Sequence, residues 1–370
     1  MTRRITFLNN QGLISTGGGV TILRHLVRDL MRDHAVTVLS FDPPAPEFDA
    51  VRQVTLPAPP PPGRLWRLAP LLRARHLRQV VPRADLEADV TVALDCHFSP
   101  LLKHIPPRRL IYLSLSCIPR QEWFGTGGLQ GVMNFPQYIY LERSLIRRSG
   151  LTLASSRMHA NELRRFEAVP ASRPLVLHPI FPTETPPHRP TAIPKILSAG
   201  RLEPVKNHAA IIAVAERLRD LPCQFVIAGD GPLAPSLRRQ AAHLGNKIVF
   251  RGDVADLRTE HAEASLYLHP SRYESFGISV FEAIRAGIPP IVSRNAPAGY
   301  REILQDGISA CFVDFNQPDT VATAIRRLLL NDTEREAMGA AARAAATRAS
   351  HQDYTATFRS QIDALLQTAP

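Results

Sequence analysis

The chain has 370 residues, with 44 Lys and Arg, 33 Asp and Glu, and a formal net charge of +11. A hydrophobic content of 45% excludes disorder as the main state, and the length predicts two domains. No apolar run approaches the roughly 18 residues of a membrane-spanning helix, and the N-terminal sequence turns polar too early for a signal peptide. The four cysteines form no C-x-x-C pair, so no zinc site or disulfide framework is indicated. A cytoplasmic protein is expected.

The positive charge is concentrated in the first half of the chain. Residues 1–190 hold 24 basic and 14 acidic side chains, whereas residues 191–370 hold 20 and 19. A GC-rich genome would explain the abundance of arginine but not this asymmetry. The asymmetry predicts an anionic partner for the first half: a membrane surface, a phosphorylated lipid or a nucleic acid.

The first half alternates apolar strands with amphipathic helices. Strands are predicted at residues 5–8, 35–40, 90–94, 110–115 and 151–154. A glycine-rich turn, Gly17-Gly18-Gly19, precedes the first helix, and a second helix is expected near 138–148. A basic helical stretch at 64–81 carries five arginines beside leucines and Trp66. It either lies on an anionic bilayer or is a surface helix whose apolar side belongs to the core.

The second half repeats the same alternation after a proline-rich break. Six prolines between Pro179 and Pro194 exclude a helix or central strand, so residues 183–194 are predicted to link two domains, 1–182 and 195–350. Strands are predicted at 196–199, 224–228, 248–250, 266–268, 290–293 and 310–312. Residues 351–370 are predicted to form a helix that packs back toward the first domain. Repeated strand–helix units predict parallel sheets, with a ligand between the domains at the carboxyl ends of the strands.

The densest group of polar residues follows the predicted strand at 266–268. Glu274 lies in a loop that runs into a helix starting near Gly277, and Glu282 lies in the body of that helix. Free N–H groups at a helix start bind anions, and carboxylates on either side suit sugar hydroxyl groups. Two glutamates that merely complement the helix dipole are the alternative, which fits Glu274 better than Glu282.

A second group of polar residues follows the predicted strand at 196–199. Asn207 is predicted to cap the next helix. Lys206, directly before it, places positive charge at the positive end of the helix dipole, which a bound phosphate would compensate. Arg201 can reach the same point. Two solvated cations on a surface loop are the alternative.

Taken together, these segments resemble the retaining GT-B glycosyltransferases of family 4. The matching pieces are Gly200-Arg201-Leu with Lys206-Asn207, Ala228-Gly-Asp-Gly-Pro, Phe250-Arg-Gly-Asp253-Val254, the E-x7-E spacing of Glu274 and Glu282, and Glu302 with Asp306-Gly307 followed by Cys311-Phe-Val. The resemblance covers the whole chain, closely over 195–315 and loosely before. It implies an α/β GT-B fold, in which two Rossmann-like, doubly wound parallel-sheet domains face a central cleft.

The resemblance also implies which residues bind the nucleotide-sugar donor. Arg201 and Lys206 would bind the diphosphate, Glu274 the transferred sugar, and Glu282 the ribose. The distal phosphate of the nucleotide sugar would be bound by the segment Ser275, Phe276, Gly277 and Ile278. The edge of the nucleotide base would be bound by Asp253 and Val254.

In the first domain the resemblance is looser. Gly18 and Gly19 would let the backbone approach the sugar donor or the acceptor, although a tight turn is the alternative. His97 is the best candidate for the histidine that many relatives carry near the acceptor, although a single loop histidine is often structural. The loop Ala296-Pro-Ala-Gly replaces paired glycines of the family.

The reaction that the resemblance implies is a same-face transfer to a saccharide or lipid-linked acceptor. No cofactor or metal is expected, because fixed cations and amides can stabilise the leaving diphosphate and no D-x-D motif is found. A nucleotide-sugar 2-epimerase is the alternative within the fold.

Other classes of function fit the sequence less well. A nucleic-acid-binding protein is a distant alternative, because interleaved aromatic residues and known binding motifs are missing. A dehydrogenase is excluded, because the glycine run is not G-x-G-x-x-G. Peripheral contact of the basic half with the inner face of the cytoplasmic membrane is the remaining expectation.

Overall fold

In a computed structural model, the chain forms two compact units. The first comprises Met1–Pro179 and Asp353–Pro370, and the second comprises Ile180–Gln352. The structure describes residues 2–15, 17–58, 70–116, 128–167, 174–180, 188–254, 256–350 and 353–367. The predictions for residues 64–69, including Trp66, and for linker residues 183–187 lie outside these ranges. Among the helices that are described, none combines the length and the apolar character that crossing a bilayer requires.

The first unit contains a parallel sheet of seven strands in the order β3-β2-β1-β4-β5-β6-β7. The strands are β1 (Arg4–Leu8), β2 (Ala35–Ser40), β3 (Arg52–Thr55), β4 (Val90–Ala93), β5 (Leu110–Ser114), β6 (Leu151–Ala154) and β7 (Leu175–Val176). The helices are α1 (Gly18–Leu30), α2 (Pro70–Val80), α3 (Gly128–Arg148) and α4 (Arg157–Glu167), joined by α11 (Tyr354–Gln367) from the end of the chain. The central strands are buried on both faces, which explains their unbroken apolar sequences.

The second unit contains a parallel sheet of six strands in the order β10-β9-β8-β11-β12-β13. The strands are β8 (Lys195–Ala199), β9 (Gln224–Ala228), β10 (Ile248–Gly252), β11 (Ala264–His269), β12 (Pro290–Ser293) and β13 (Cys311–Val313). The helices are α5 (Ala209–Arg217), α6 (Ala234–Ala241), α7 (Arg258–Glu263), α8 (Ile278–Arg285), α9 (Pro318–Leu330) and α10 (Asp332–Ala349). Two apolar clusters cover the two faces of this sheet.

Each sheet reverses its strand order at one point. In the first unit β1 pairs with both β2 and β4, and in the second β8 pairs with both β9 and β11. The loops after the two strands at such a switch point diverge, which leaves a crevice at the carboxyl edge of the sheet. In the second unit these are the loops that carry Lys206 and Glu274, although 68 residues separate the two in sequence.

One predicted helix start is wrong. Asn207 does not cap α5: its backbone is left-handed, with φ of 56°, and it ends a short 3-10 helix, Pro204–Lys206. The first residue of α5 is Ala209. The side-chain amide of Asn207 donates instead to the carbonyl oxygen of Pro270 at 3.3 Å. Asparagine is common both at helix starts and in left-handed turns, so its identity alone did not decide between them.

The helix α11 packs on the first unit through both apolar and charged contacts. Tyr354, Phe358 and Ile362 are buried along one side of the helix. The guanidinium of Arg359 lies 2.5 Å from a carboxylate oxygen of Asp29, near the end of α1. It also lies 2.9 Å from Asp33.

Candidate functional site

The central contact of the second unit is an ion pair between Lys206 and Glu274. Lys206 Nζ lies 2.5 Å from Glu274 Oε2, and the side chains are 25% and 14% exposed. Burial alone would raise the pKa of Glu274, but the Lys206 ammonium and a hydrogen bond from His269 outweigh it and lower the pKa to about 2. Glu274 is therefore ionised at neutral pH. The charge of Lys206 is compensated by this carboxylate within the protein, which the sequence did not predict.

Backbone hydrogen bonds hold the loops after β8 and β11 together. The N–H of Arg272 donates to the carbonyl of Val205 at 2.8 Å. On its other side, Glu274 exchanges two backbone hydrogen bonds with the segment after β12: its N–H donates to Pro297 and its carbonyl accepts from Gly299, both at 3.0 Å. The loop that carries Glu274 is thus held by two neighbouring loops, those after β8 and β12.

The N-terminus of α8 borders this ion pair. Gly277 precedes the helix with φ of 96°, and Ile278 is its first residue. A Cβ atom on Gly277 would lie 3.4 Å from Cγ of Glu274, so the carboxylate side chain passes beside the first turn. The first N–H groups of a helix have no intrahelical partner and carry partial positive charge. Ser275 and Phe276, just before the helix, are buried.

Glu282 is the fifth residue of α8 and is half-buried. Burial raises the pKa of its carboxyl group to about 7, although nearby Arg285 opposes the shift. Its carboxylate accepts no hydrogen bond from any described residue. A half-buried carboxyl group with a raised pKa and no hydrogen bond from the described residues is typical of a ligand-binding position.

Within the described part of the chain, three predicted sugar-donor residues form no hydrogen bond or ion pair with Lys206 or Glu274. Arg201 contacts Glu203, with Nε 2.6 Å from Oε1, and its side chain is 46% exposed. This contact does not join Arg201 to Lys206. Asp253 is exposed after β10, and Val254 packs half-buried against the core.

In the first unit, the predicted glycines lie at the start of α1, the helix that follows β1. Gly18 and Gly19 are the first two residues of α1, and Gly17 precedes them with φ of 118°. A Cβ atom on Gly19 would lie 3.3 Å from Cδ1 of Leu115, so this position has little room for a side chain. The backbone of α1 therefore begins close to the end of β5.

His97 lies after β4, and its side chain is 5% exposed. Its Nδ1 lies 2.5 Å from Oδ1 of Asp95, and its backbone N–H donates to the same oxygen at 2.8 Å. Asp95 also accepts a hydrogen bond from the side chain of Asn10, after β1. The Nε2 of His97 is buried and has no hydrogen-bond partner among the described residues. Asp95 therefore fixes the orientation of the imidazole ring.

Asp95, Cys96 and His97 also form a group with metal-ligand chemistry. Within the described part of the chain it is the one such group of three found, with ligand atoms within 4.8 Å of one another. Its carboxylate already binds Nδ1 of His97, and Cys96 belongs to the apolar core. The expectation that no metal is required stays a prediction.

Sequence reasoning assigned no role to His269 or Asp95. His269 is the last residue of β11, five residues before Glu274. Asp95 lies two residues after the end of β4. Both stand at the carboxyl end of a central strand. That position was the available signal, because side chains there face the ligand edge of a parallel sheet.

Two family models match the chain. The model described as glycosyl transferases group 1 matches residues 186–345. The model described as glycosyl transferase 4-like domain matches residues 17–179. Between them they account for most of both units.

Curated relatives match over a shorter stretch. A GDP-mannose-dependent alpha-(1-6)-phosphatidylinositol monomannoside mannosyltransferase of Mycolicibacterium smegmatis is 33% identical over 163 residues, which are 40% of this chain and 42% of that protein. The 2-deoxystreptamine N-acetyl-D-glucosaminyltransferase of Niallia circulans is 31% identical over 154 residues, which are 39% of this chain and 38% of that protein. The chain thus matches about two fifths of the length of these relatives.

Solved structures match over nearly the whole chain. A sucrose-phosphate synthase from Thermosynechococcus elongatus has a TM-score of 0.79 at 17% identity, covering 98% of this chain and 99% of that one. HepE of Anabaena, in complex with UDP-glucose, has a TM-score of 0.72 at 18% identity, covering 99% and 100%. These similarities confirm the predicted fold of two Rossmann-like domains. With one matching family model on each unit, the chain belongs to the glycosyl transferases group 1 family and has the GT-B fold.

Proposed function

We propose that the protein transfers a sugar from a nucleoside-diphosphate donor to a saccharide or lipid-linked acceptor, with retention at the anomeric carbon. The observation that carries this proposal is the Lys206–Glu274 pair beside the N-terminus of α8, at the switch point of the second sheet. The cation, the carboxylate and the amides of the helix start match the phosphates and hydroxyl groups of such a sugar donor. The relatives named for GDP-mannose and UDP-glucose support a sugar donor of this class.

The phosphates are assigned to the cations and to the helix start. Lys206 and Arg201 bind the diphosphate, for which Arg201 has to leave Glu203. The amides of Phe276, Gly277 and Ile278 receive the distal phosphate.

The organic parts of the sugar donor are assigned to flanking residues. Glu274 binds hydroxyl groups of the transferred sugar, and Ser275 lines the same segment. Glu282 binds the ribose, while Asp253 and Val254 contact the base edge. Gly18 and Gly19 allow the backbone of the first unit to approach a ligand.

The transfer follows from the charge that develops when the anomeric bond breaks. The bond between C1 and the diphosphate oxygen breaks, positive charge develops on the sugar ring, and negative charge develops on the leaving diphosphate. The ammonium of Lys206 and the helix amides stabilise that negative charge. The acceptor oxygen bonds to C1 on the same face, and its proton passes to the leaving phosphate oxygen. His97 is assigned to the acceptor.

The first experiment identifies the nucleotide and then tests the site. UDP, GDP, ADP, CMP and TDP are screened by thermal shift, because a ligand that binds only the folded state raises its melting temperature. With the matching sugar nucleotide, Lys206→Ala and Glu282→Ala should each abolish transfer while circular dichroism stays unchanged. Near-normal turnover in both variants would overturn the proposal. Proton NMR of the first product formed should show that the transferred sugar keeps the anomeric configuration that it had in the sugar donor.

Metal independence and epimerisation are decided in the same assay. Transfer should continue at an unchanged rate after dialysis against EDTA, and restoration by Mg²⁺ or Mn²⁺ would contradict metal independence. Incubation of the sugar nucleotide without acceptor should give at most slow hydrolysis. Accumulation of its 2-epimer would instead favour the epimerase.

We also propose that α2 contacts anionic membrane. Leu71 and Leu72 are 42% and 46% exposed on this helix, beside exposed Arg75 and Arg78, and α2 contains no acidic residue. Such a face combines apolar insertion with attraction to anionic headgroups.

The membrane proposal is tested by sedimentation with liposomes. Binding should require anionic lipid and should fall at least about tenfold in Arg75→Glu/Arg78→Glu, since each basic residue near the surface contributes about 1 kcal/mol. Arg219→Glu/Arg348→Glu is the charge-matched control, because both of these arginines are exposed on the second unit. Equal loss in both double variants, or binding to neutral liposomes, would exclude a specific contact through α2.

A further inference from the structure

His269 is the one residue besides Lys206 whose side chain is hydrogen-bonded to Glu274 in the described part of the chain. Its Nε2 lies 3.2 Å from Oε2 of Glu274, the same oxygen that Lys206 contacts at 2.5 Å. An ionised carboxylate only accepts hydrogen bonds, so Nε2 of the imidazole must carry the proton. Burial lowers the pKa of His269, which keeps the ring neutral with Nδ1 unprotonated.

The two contacts leave one carboxylate oxygen of Glu274 for other partners. Both protein hydrogen bonds fall on Oε2, and Oε1 accepts none from the described residues. Glu274 borders the first turn of α8, where the phosphates of the sugar donor are assigned. Oε1 is therefore the atom available to a sugar hydroxyl.

The two partners of Glu274 differ in rigidity. His269 is the last residue of β11 and is in register with Val292 of β12, so its backbone is held at the end of a central strand. Its ring stacks on Tyr267 at 6.2 Å between centroids and meets the edge of Tyr300 at 5.8 Å. Lys206, in contrast, has a flexible four-carbon side chain and ends a short 3-10 helix in a loop.

This difference matters when a diphosphate arrives. Its negative charge attracts the ammonium of Lys206, which Glu274 holds in the free protein. If Lys206 turns toward the phosphate, the carboxylate of Glu274 loses its strongest partner. The hydrogen bond that Glu274 accepts from His269, whose ring is packed between Tyr267 and Tyr300, remains.

We propose that His269 is a positioning residue that holds Oε2 of Glu274 while Lys206 turns to the sugar donor's phosphates, so that Oε1 stays directed at the transferred sugar. This inference rests on the proposed function. His269 acts through Glu274 and does not itself contact the reacting atoms.

Three variants separate this role from simple packing. His269→Phe keeps an aromatic ring between Tyr267 and Tyr300 but removes the N–H donor. His269→Gln restores an N–H donor. His261→Phe is the matched control. His261 is also buried in this unit, 6.5 Å from Tyr267 between ring centroids, and in the described part of the chain it forms no hydrogen bond or ion pair with Glu274.

The kinetic readout compares nucleotide binding with turnover. The probe is whichever of UDP, GDP, ADP, CMP and TDP binds the wild type, together with its sugar nucleotide. His269→Phe should bind the diphosphate within about twofold of wild type but lose about 10- to 100-fold in kcat, as expected for loss of one hydrogen bond to a charged group. His269→Gln should recover most of that loss, and His261→Phe should resemble wild type. Unchanged kcat in His269→Phe, or equal losses in diphosphate binding and kcat, would overturn the inference.

A second readout needs no ligand. The pKa of Glu274, followed by carbon-13 NMR of its carboxyl group, should rise in His269→Phe and stay unchanged in His261→Phe. If no nucleotide binds the wild type, the proposed function fails and this titration alone decides whether His269 holds Glu274. An unchanged pKa in His269→Phe would overturn that contact.

Discussion

Glu282 carries a carboxyl group with a pKa of about 7, whereas an exposed glutamate titrates near 4.5. Between these two values the folded state binds the proton more tightly than the unfolded state, so this group makes stability fall as the pH rises from about 4.5 to 7. Glu282→Gln removes that penalty. The variant should be more stable than wild type at pH 8 by up to about 3 kcal/mol and should have little advantage at pH 4.5.

Urea unfolding at the two pH values measures this difference. Glu336→Gln, at an exposed position on α10, is the control and should show no pH-dependent gain. An advantage of equal size at both pH values would contradict the assignment. Because Glu282→Gln should also lose transfer activity, stability and function are expected to change in opposite directions at this residue.

The Lys206–Glu274 pair is expected to show strong energetic coupling. Lys206→Ala leaves a largely buried carboxylate without its cation, which should cost about 2 kcal/mol of unfolding free energy. The double variant Lys206→Ala/Glu274→Gln should cost less than the two single variants together, as a double-mutant cycle would measure. Strict additivity would contradict the direct interaction.

The same pair predicts an acid-sensitive contribution. The folded pKa of Glu274 is lowered to about 2, so its stabilising contribution is present above about 4.5 and is lost as the pH falls from there toward 2. Lys206→Ala should remove much of this dependence. Acid unfolding of the wild type and variant, compared over that range, provides the measurement.

At the scale of elements, the start of α8 depends on one glycine. Gly277 has φ of 96°, and a Cβ atom there would lie 3.0 Å from Cδ1 of Tyr300. Gly277→Ala should therefore cost about 2 kcal/mol and weaken nucleotide binding, because the first turn has to shift. Gly307→Ala is the matched control: φ is 74°, but no atom lies within 4 Å of the new Cβ.

The control isolates backbone strain from crowding. Gly307→Ala should cost about 1 kcal/mol and leave nucleotide binding unchanged. Thermal unfolding and the nucleotide thermal shift of both variants give the comparison. If the two substitutions behave alike in binding, the geometry at the start of α8 is not what positions the phosphates.

Local sequence patterns predicted the central strands well but missed several other elements. The strands at 35–40, 151–154, 224–228 and 290–293 occur with the predicted bounds. The short edge strands β3 and β7 and the helices α4, α9 and α10 were not predicted. Edge strands have a weak apolar pattern because only part of their surface is buried. Asn207 shows the same limit, since one residue type serves two different helix boundaries.

At the scale of the whole molecule, α11 is expected to stabilise the first unit. Arg359 contacts Asp29 and Asp33, and α11 buries Phe358 and Ile362. Arg359→Ala should increase amide hydrogen exchange in α11 and at the end of α1 and leave the second unit unchanged, since each unit has its own core. Exchange measured by mass spectrometry tests this, and a uniform increase across both units would contradict it.

The sequence by itself determined the alternation of strands and helices, the two domains and the residue types of the site. These depend on local periodicity, proline content and the spacing of Glu274 and Glu282 along one segment. Only the tertiary structure decided which side chains meet. Strand order places β8 beside β11, which brings Lys206 to Glu274 across 68 residues, and burial in a sheet aims His269 at the same carboxylate. Arg201, with equal charge, contacts Glu203 instead. Charge and spacing are local properties, whereas the partner of a charge depends on strand order and desolvation, which arise from long-range packing.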